Sequence, residues 1–331
     1  MTQKLALLDL VYDDLQRVEV KMRSIGAGAY APLAEAFLNL LNSGGKRLRP
    51  ALALAAYGLL ADRASEKAIA AAAAVEMLHN ATLVHDDLID GALTRRGITT
   101  LNAQWNKGAT VLAGDYLFAR AAGFAAETEN VRVVQLFAET LRTICEGELR
   151  QLFSSRQWRQ SKESYYPRIF AKTASLFASS ARSGAILGHA TAAQEQALYD
   201  YGYHLGMAFQ IVDDILDYTA DEDTLGKPVG GDLRQGIVTL PFFYFLQSQP
   251  DPAPIVSRLD TALSLPGRSS GANDGLGEII ALVRASGAIE AAYTEAQEFC
   301  EQAQANLEAL PANPYRAALT ELAEYTVARG A

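Results

Sequence analysis

Apolar residues recur every three to four positions along most of the 331-residue chain, and this spacing is the strongest constraint on its fold. Alanine and leucine are abundant, and both favour helices. No stretch alternates apolar and polar residues between turn signals as a sheet requires. The pattern predicts an all-α fold, with helices over 30–42, 50–61, 65–90, 108–126, 130–155, 165–188, 193–218, 239–248, 276–286, 288–308 and 313–329.

Two candidate loops, 219–238 and 264–275, contain several glycines each. Neither is long or polar enough for a domain linker, so we expect a single domain over 1–331. The formal net charge of −9 argues against broad nucleic-acid binding. The two cysteines, Cys145 and Cys300, lack metal-ligand spacing, and we expect buried free thiols of a reducing compartment.

The first residues of the chain indicate where the protein resides. Asp9, Asp13 and Asp14 interrupt the N-terminus early, so no signal peptide is visible. The longest apolar stretches, such as 51–61, fall short of the roughly 18 residues that a membrane span needs. We therefore expect a cytoplasmic protein without stable membrane insertion.

The motif Asp-Asp-x-x-Asp occurs twice, at 86–90 and at 213–217. Composition predicts roughly 0.05 such strings per chain, so two by accident are improbable. A spacing of four places Asp86 above Asp90 on one helix face, and the second motif repeats this arrangement. Like charges at this spacing repel, and apolar neighbours flank both motifs. The pattern therefore predicts a bound cation rather than two solvated acidic helix ends.

Magnesium suits such a site, because it takes one or two carboxylates together with phosphate oxygens. Two facing clusters would hold a diphosphate through bridging metal ions. A calcium EF-hand is disfavoured, because its ligands stand at alternate positions around a central glycine. The chain also lacks a Walker A loop, a Gly-x-Ser-x-Gly elbow, His-Glu-x-x-His and a dinucleotide fingerprint.

Basic residues accompany the acidic motifs. The segment 44–50 reads Gly-Gly-Lys-Arg-Leu-Arg-Pro, and a flexible turn with cations at a helix start suits a phosphate, although an ordinary basic turn remains an alternative. The other candidates are Arg95 and Arg96 after the first motif, Lys172 with Thr173 in a helix, Lys227 after the second motif, and His79 two turns before Asp86. Their distribution favours counter-charges to phosphates.

With these residues the chain resembles the trans-isoprenyl diphosphate synthases, also called the polyprenyl synthetase family. Residues 83–97 and 209–217 match the two aspartate-rich motifs of the family, and the basic residues fall in its order. The resemblance is strong over 40–240 and loose elsewhere. It implies a single-domain isoprenoid synthase fold, with antiparallel helices around a central cavity, and usually a homodimer.

The resemblance also implies roles for individual residues. Mg²⁺, as three ions per active site with substrate bound, would be held by Asp86 and Asp90 on one side and by Asp213, with Asp217, on the other, supported by Asp87 and Asp214. The allylic diphosphate would be bound by Arg95, Lys172, Thr173, Gln210 and Lys227. Isopentenyl diphosphate would be bound by Lys46, Arg49, His79 and Arg96.

The implied reaction is a chain-elongating condensation. Metal ions neutralise the leaving diphosphate, the allylic bond ionises in a dry pocket, and isopentenyl diphosphate attacks the cation. A proton would then be lost to the departing diphosphate, so no protein base is required.

Product length depends on the helix that carries the first motif. In the family, aromatic residues four and five positions before that motif close the cavity early, whereas Thr82 and Ala81 are small here. The candidate length-determining residues are Met77, Leu78, Ala81, Thr82 and Phe137. We predict a product longer than farnesyl diphosphate, a long polyprenyl diphosphate, with geranylgeranyl diphosphate as the alternative.

Three rival functions fit less well. A terpene cyclase would lack the site at Lys46 and Arg49, and a squalene or phytoene synthase-like enzyme would lack a separate isopentenyl site. A regulatory subunit of a heteromeric synthase typically loses its aspartate motifs, and this chain keeps both.

Overall fold

The computed structural model describes residues 5–24, 30–42, 44–61, 63–95, 97–220, 229–264 and 275–329. These residues are mainly helical, which confirms the predicted all-α class. In chain order the helices are α1 Ala6–Leu10, α2 Tyr12–Arg23, α3 Ala31–Asn42, α4 Leu48–Gly58, α5 Glu66–Ile89, α6 Leu101–Gln104, α7 Lys107–Glu127, α8 Val131–Ser154, α9 Lys162–Ile169, α10 Ser175–Leu187, α11 Ala192–Thr219, α12 Gly231–Arg234, α13 Leu240–Ser248, α14 Ala253–Ser264, α15 Gly275–Ala285, α16 Ala288–Leu307 and α17 Pro314–Ala328.

Three elements among the described residues depart from regular α-helix. A π-helical turn, Phe170–Ala174, joins α9 to α10 where the sequence predicts one continuous helix. Strands β1 (Thr94–Arg95) and β2 (Ile98–Thr99) pair antiparallel directly after α5. Each strand has two residues, too few to show an alternating pattern in the sequence.

The predicted helices are present, with ends that differ by at most three residues. The sequence interpretation missed α1, α2, α6, α12 and α14. The predicted loop 219–238 contains the short helix α12, and its residues 221–228 lie outside the described part of the chain. Residues 265–274 of the other predicted loop also lie outside it.

The chain divides into two compact units, and the first comprises Met1–Arg142, Leu176–Gly202 and Gln304–Leu322. Helix α5 lies at its centre and packs against α2, α4 and α7. Ser65 caps α5, because its hydroxyl accepts a hydrogen bond from the N–H of Ala68 at 3.2 Å. The alanines that follow are buried on every face, as expected for a helix surrounded by others.

Small residues bring the helices of this unit close together. A Cβ at Gly184 of α10 would lie 2.2 Å from the carbonyl oxygen of Ala53 on α4. A Cβ at Gly114 of α7 would lie 2.2 Å from the imidazole of His85 on α5. His85 therefore packs between two helices, beside the first acidic motif.

The second unit comprises Thr143–Ser175, Tyr203–Ala303 and Ala323–Ala331. One core cluster joins Ile211 and Ile215 of α11 to Ile169 of α9 and Ala292 of α16. A second cluster centres on α13 and α15. The apolar residues that flank the second acidic motif are thus core residues, and they fix the rotation of α11. The prediction of one domain over 1–331 stays a prediction.

Both cysteines are free, as predicted. Cys300 is buried, but the expectation of burial was wrong for Cys145, which is exposed on α8. Within the described ranges, none of the helices combines the length and the apolar character that crossing a membrane would take.

Candidate active site

The first acidic motif lies at the C-terminal end of α5. Asp86 and Asp87 lie in the last turn and Asp90 is the C-cap residue, where the helix dipole disfavours negative charge. Asp87 is 6% exposed, and its Oδ1 accepts a hydrogen bond from Nε of Arg95 at 2.8 Å. Burial raises the pKa of Asp87 above its ordinary value, although the charge of Arg95 acts in the opposite direction. Asp87 of the motif therefore forms an ion pair with Arg95.

The β-hairpin brings Arg95 back to α5. Gly97, at φ 76°, provides the left-handed turn between β1 and β2. The sequence predicts that a short turn returns Arg95 over the acidic motif, and its contact with Asp87 agrees with that placement. Its role in binding an allylic diphosphate stays a prediction. Arg96 lies outside the described residues.

The basic segment 44–50 comprises a tight turn and the first three residues of α4. Gly44, Gly45 and Arg47 have positive φ values of 83°, 142° and 51°. Helix α4 begins at Leu48, two residues before Pro50, where the sequence predicted the start. Proline is tolerated here because N–H groups in the first turn have no helical partner.

Three of the four predicted isopentenyl diphosphate ligands belong to the described part of the first unit. Lys46 is exposed in the turn, and the guanidinium of Arg49 lies 4.7 Å from the ring centroid of Phe177. His79 is half-buried on α5, and its carbonyl oxygen accepts a hydrogen bond from the hydroxyl of Thr82 at 2.8 Å. Their substrate roles stay predictions.

The three aspartates of the second motif, on α11, have three different environments. Asp213 is part-exposed, and its Oδ1 lies 2.9 Å from Nη2 of Arg329. Asp214 is buried and accepts hydrogen bonds from the hydroxyl of Tyr165 and from Nε2 of Gln210, both at 2.8 Å. Burial raises the pKa of Asp214 to about 7, the negative charge of Asp232 adds to that rise, and the two hydrogen bonds oppose it.

Asp217, the last residue of this motif, organises the backbone beside it. Its two carboxylate oxygens accept hydrogen bonds from the N–H groups of Gly231 at 3.2 Å and Asp232 at 3.1 Å. The side chain thus anchors the start of α12, and its predicted role as a metal ligand stays a prediction.

The π-helical turn carries the next predicted site residues. Lys172 is exposed, whereas Thr173 is buried and its hydroxyl donates to Oε1 of Gln210 at 2.5 Å. Gln210 in turn donates to Asp214, so a hydrogen-bonded chain runs from the π turn to the acidic motif. Single π turns inside helices are frequent at functional sites. Lys227 lies outside the described residues.

The predicted length-determining residues lie on α5 and α8. Met77, Leu78 and Ala81 are buried, whereas Thr82 and Phe137 are half-buried. Val133 of α8 and Ala71 of α5 belong to the same core cluster. Of the two small residues before the first motif, Ala81 is thus interior and Thr82 is half-buried, and their effect on product length stays a prediction.

Three partners of the site escaped the sequence interpretation, namely Tyr165, Arg329 and Arg47. Tyr165 lies seven residues before Lys172, and this spacing of two helical turns was a usable signal. Arg329 lies 116 residues beyond its partner Asp213 in the chain, and no local pattern connects them. Arg47 looks like its neighbours Lys46 and Arg49, and only its contacts distinguish it.

The chain is similar to known proteins along nearly its whole length. The polyprenyl synthetase family profile matches residues 31–261. Heptaprenyl diphosphate synthase component 2 of Geobacillus stearothermophilus is 38% identical over 325 residues, which cover 97% of each chain. The solved decaprenyl diphosphate synthase of Rhodobacter capsulatus superposes with a TM-score of 0.89 at 35% identity, over 98% of each chain. The polyprenyl synthase of Caulobacter crescentus CB15, in complex with calcium and isoprenyl diphosphate, gives 0.90 at 36% identity, over 98% of each.

The chain belongs to the polyprenyl synthetase family. The predicted family and the isoprenoid synthase fold are thereby confirmed. The predicted reaction class, a chain-elongating trans-prenyltransferase, is confirmed as well.

Proposed function

We propose that this chain condenses an allylic diphosphate with isopentenyl diphosphate and repeats the step to make a product longer than farnesyl diphosphate. The observation that carries the proposal is the pair of Asp-Asp-x-x-Asp motifs, each at the C-terminal part of a long helix and each with a carboxylate held by its own neighbours. Such motifs suit two phosphorylated substrates that need metal ions.

Magnesium fits the donor chemistry of these residues. No group of three or more His, Cys, Asp or Glu side chains in the described part of the chain is arranged to hold a metal ion alone. Diphosphate oxygens would therefore complete the coordination, as Mg²⁺ commonly requires. We propose Asp86, Asp90 and Asp213 as ligands, with three ions per active site. Bound there, Mg²⁺ would neutralise the charge of the leaving diphosphate.

The chain's own cations bind and orient the substrates. Lys172 and Thr173, held by the π turn and by Gln210, would contact the allylic diphosphate, together with Arg95 and Lys227. The exposed ammonium of Lys46 and the guanidinium of Arg49 would hold isopentenyl diphosphate, with His79 and Arg96 beside them. Phosphate contacts of this kind are charge-assisted and hold the reacting carbons in place. The proton lost after condensation would pass to the departing diphosphate, so the residues need supply no base.

A long product is supported by two observations. The relatives above are named heptaprenyl and decaprenyl diphosphate synthases. Ala81 is fully buried and small, so α5 presents no aromatic residue at the position where the family closes its cavity early. We therefore propose a polyprenyl product, with geranylgeranyl diphosphate as the shorter alternative.

We propose that two copies of the chain form a homodimer in the cytoplasm. Leu149, Leu152 and Phe153 are 54%, 50% and 83% exposed at positions three and four apart, so they share one face of α8. An exposed apolar face of this kind is typical of a surface that binds a partner protein. The Geobacillus relative is named component 2. The alternative is therefore a complex of this chain with a second, different subunit.

Substitution of the acidic motifs tests the proposal. We expect Asp86→Asn and Asp213→Asn each to lower kcat for incorporation of labelled isopentenyl diphosphate about a hundredfold or more in Mg²⁺, because a charged contact to the leaving group is lost. Asp13→Asn, at an exposed position of α2, is the matched control and should retain full activity. Full activity of both motif variants would contradict the proposed site.

A further inference from the structure

Arg47 differs from the two cations beside it in what its side chain contacts. Its Nε lies 2.5 Å from Oε1 of Glu19, its Nη1 lies 2.9 Å from Oε1 of Glu76, and its Nη2 donates to the carbonyl oxygen of Leu41 at 2.9 Å. Each of the three guanidinium nitrogens therefore already donates a hydrogen bond to an acceptor within the protein. The side chain is 14% exposed and that of Glu76 is 5% exposed, so this is an interior ion pair.

These contacts connect the basic turn to three helices. Glu19 belongs to α2, Leu41 to the last turn of α3 and Glu76 to α5. Glu76 lies three residues before His79, and residues at this spacing share a helix face. The guanidinium thus fixes the turn relative to the part of α5 that carries a predicted substrate ligand.

The backbone at this residue supports the same conclusion. Arg47 has a φ of 51°, a left-handed conformation that non-glycine residues rarely adopt because it is strained. Such a conformation persists where surrounding contacts determine it. Here the contacts of the guanidinium stabilise the conformation. Arg47 stands between Lys46, which is exposed in the turn, and Arg49, which lies in the first turn of α4.

We propose that Arg47 is a positioning residue for the isopentenyl diphosphate site. It contacts no substrate, but it holds Lys46 and Arg49 in a fixed place relative to His79. The inference rests on the proposed function, which assigns these three residues to isopentenyl diphosphate. A direct substrate role for Arg47 is disfavoured, because a bound diphosphate would have to compete with Glu19 and Glu76 for the guanidinium.

The test compares how each substitution changes the KM values of the two substrates. We expect Arg47→Met to raise KM for isopentenyl diphosphate about tenfold and to leave KM for the allylic diphosphate within about twofold. Arg47→Lys should restore part of the loss, because lysine keeps the charge beside Glu76 but lacks the planar fork. Arg63→Met, at an exposed position between α4 and α5, is the matched control and should leave both KM values unchanged.

Glu76→Gln distinguishes positioning from direct contact. If Arg47 acts by holding the turn, weakening its buried partner should also raise KM for isopentenyl diphosphate selectively, by about three- to tenfold. If Arg47 itself bound substrate, this variant would leave that KM unchanged or lower it. This variant also decides the matter if Arg47→Met fails to fold.

The possible results separate the two proposals. Equal increases in both KM values, or no change in either for folded variants, would overturn the role of Arg47. An unsubstituted chain that elongates no primer would instead refute the proposed function, and with it the role of Arg47 that rests on that function.

Discussion

Asp214 of the second motif is an aspartate whose charge depends on its burial in the fold. It is 3% exposed, and burial raises its pKa to about 7, with Asp232 adding to the rise. An ordinary aspartate in the unfolded chain has a pKa of about 3.9. Between these two values, the unfolded chain releases the proton while the folded chain keeps it. The free energy of unfolding should therefore fall as the pH rises from the unfolded pKa of Asp214 to its folded pKa.

Asp214→Asn should remove this dependence. In a metal-free buffer, we expect unsubstituted protein to lose stability relative to the variant between about pH 4 and pH 7, on the order of a few kcal/mol. Thermal unfolding across this range measures the difference, with Asp13→Asn, at an exposed position, as the control. A difference that stays constant with pH would show that Asp214 ionises normally in the folded chain.

For individual residues, the sequence predicted which side chains belong to the site better than it predicted what those side chains contact. The repeated motif and its helical spacing indicated which carboxylates belong to the site, because spacing along a helix is a local property. The ion pairs of Asp87 with Arg95 and of Asp213 with Arg329 differ in this respect. The first crosses a short hairpin and was expected in outline. The second joins distant parts of the chain, so only the folded structure reveals it.

Among the elements, the long helices were the most predictable and the short ones the least. Helix α5 combines many helix-favouring alanines with a serine cap, and these two signals reinforce each other. The missed helix α2 buries Leu15, Val18 and Met22, which are spaced as on one helix face, so its signal was present in the sequence. The π turn left no such signal, because it depends on one extra residue per turn rather than on composition.

Helix α5 also provides the test of product length. We expect Ala81→Phe to shorten the product, because the site is fully buried and a phenyl ring would fill space needed by the growing chain. Chromatography of the extracted products measures the chain length. Ala126→Phe, at an exposed position near the end of α7, is the control and should leave the length unchanged. Products of unaltered length from the Ala81 variant would remove α5 from the tail-binding surface.

For the whole molecule, fold class and family were accessible from the sequence because both depend on patterns that extend over most of the chain. The division into two compact units was not, because it follows from contacts between segments far apart in sequence. The net charge of −9 shows why local chemistry matters here, since the proposed substrates are also anions. Binding must rely on cations placed beside the motifs and on metal ions.

The central claim is that this chain elongates prenyl diphosphates with the help of magnesium. The most direct measurement incubates the full chain with labelled isopentenyl diphosphate and a series of allylic primers, with Mg²⁺ or with a chelator. The account predicts Mg²⁺-dependent incorporation into products longer than farnesyl diphosphate and none with the chelator. Failure to elongate any primer in the presence of Mg²⁺ would contradict it.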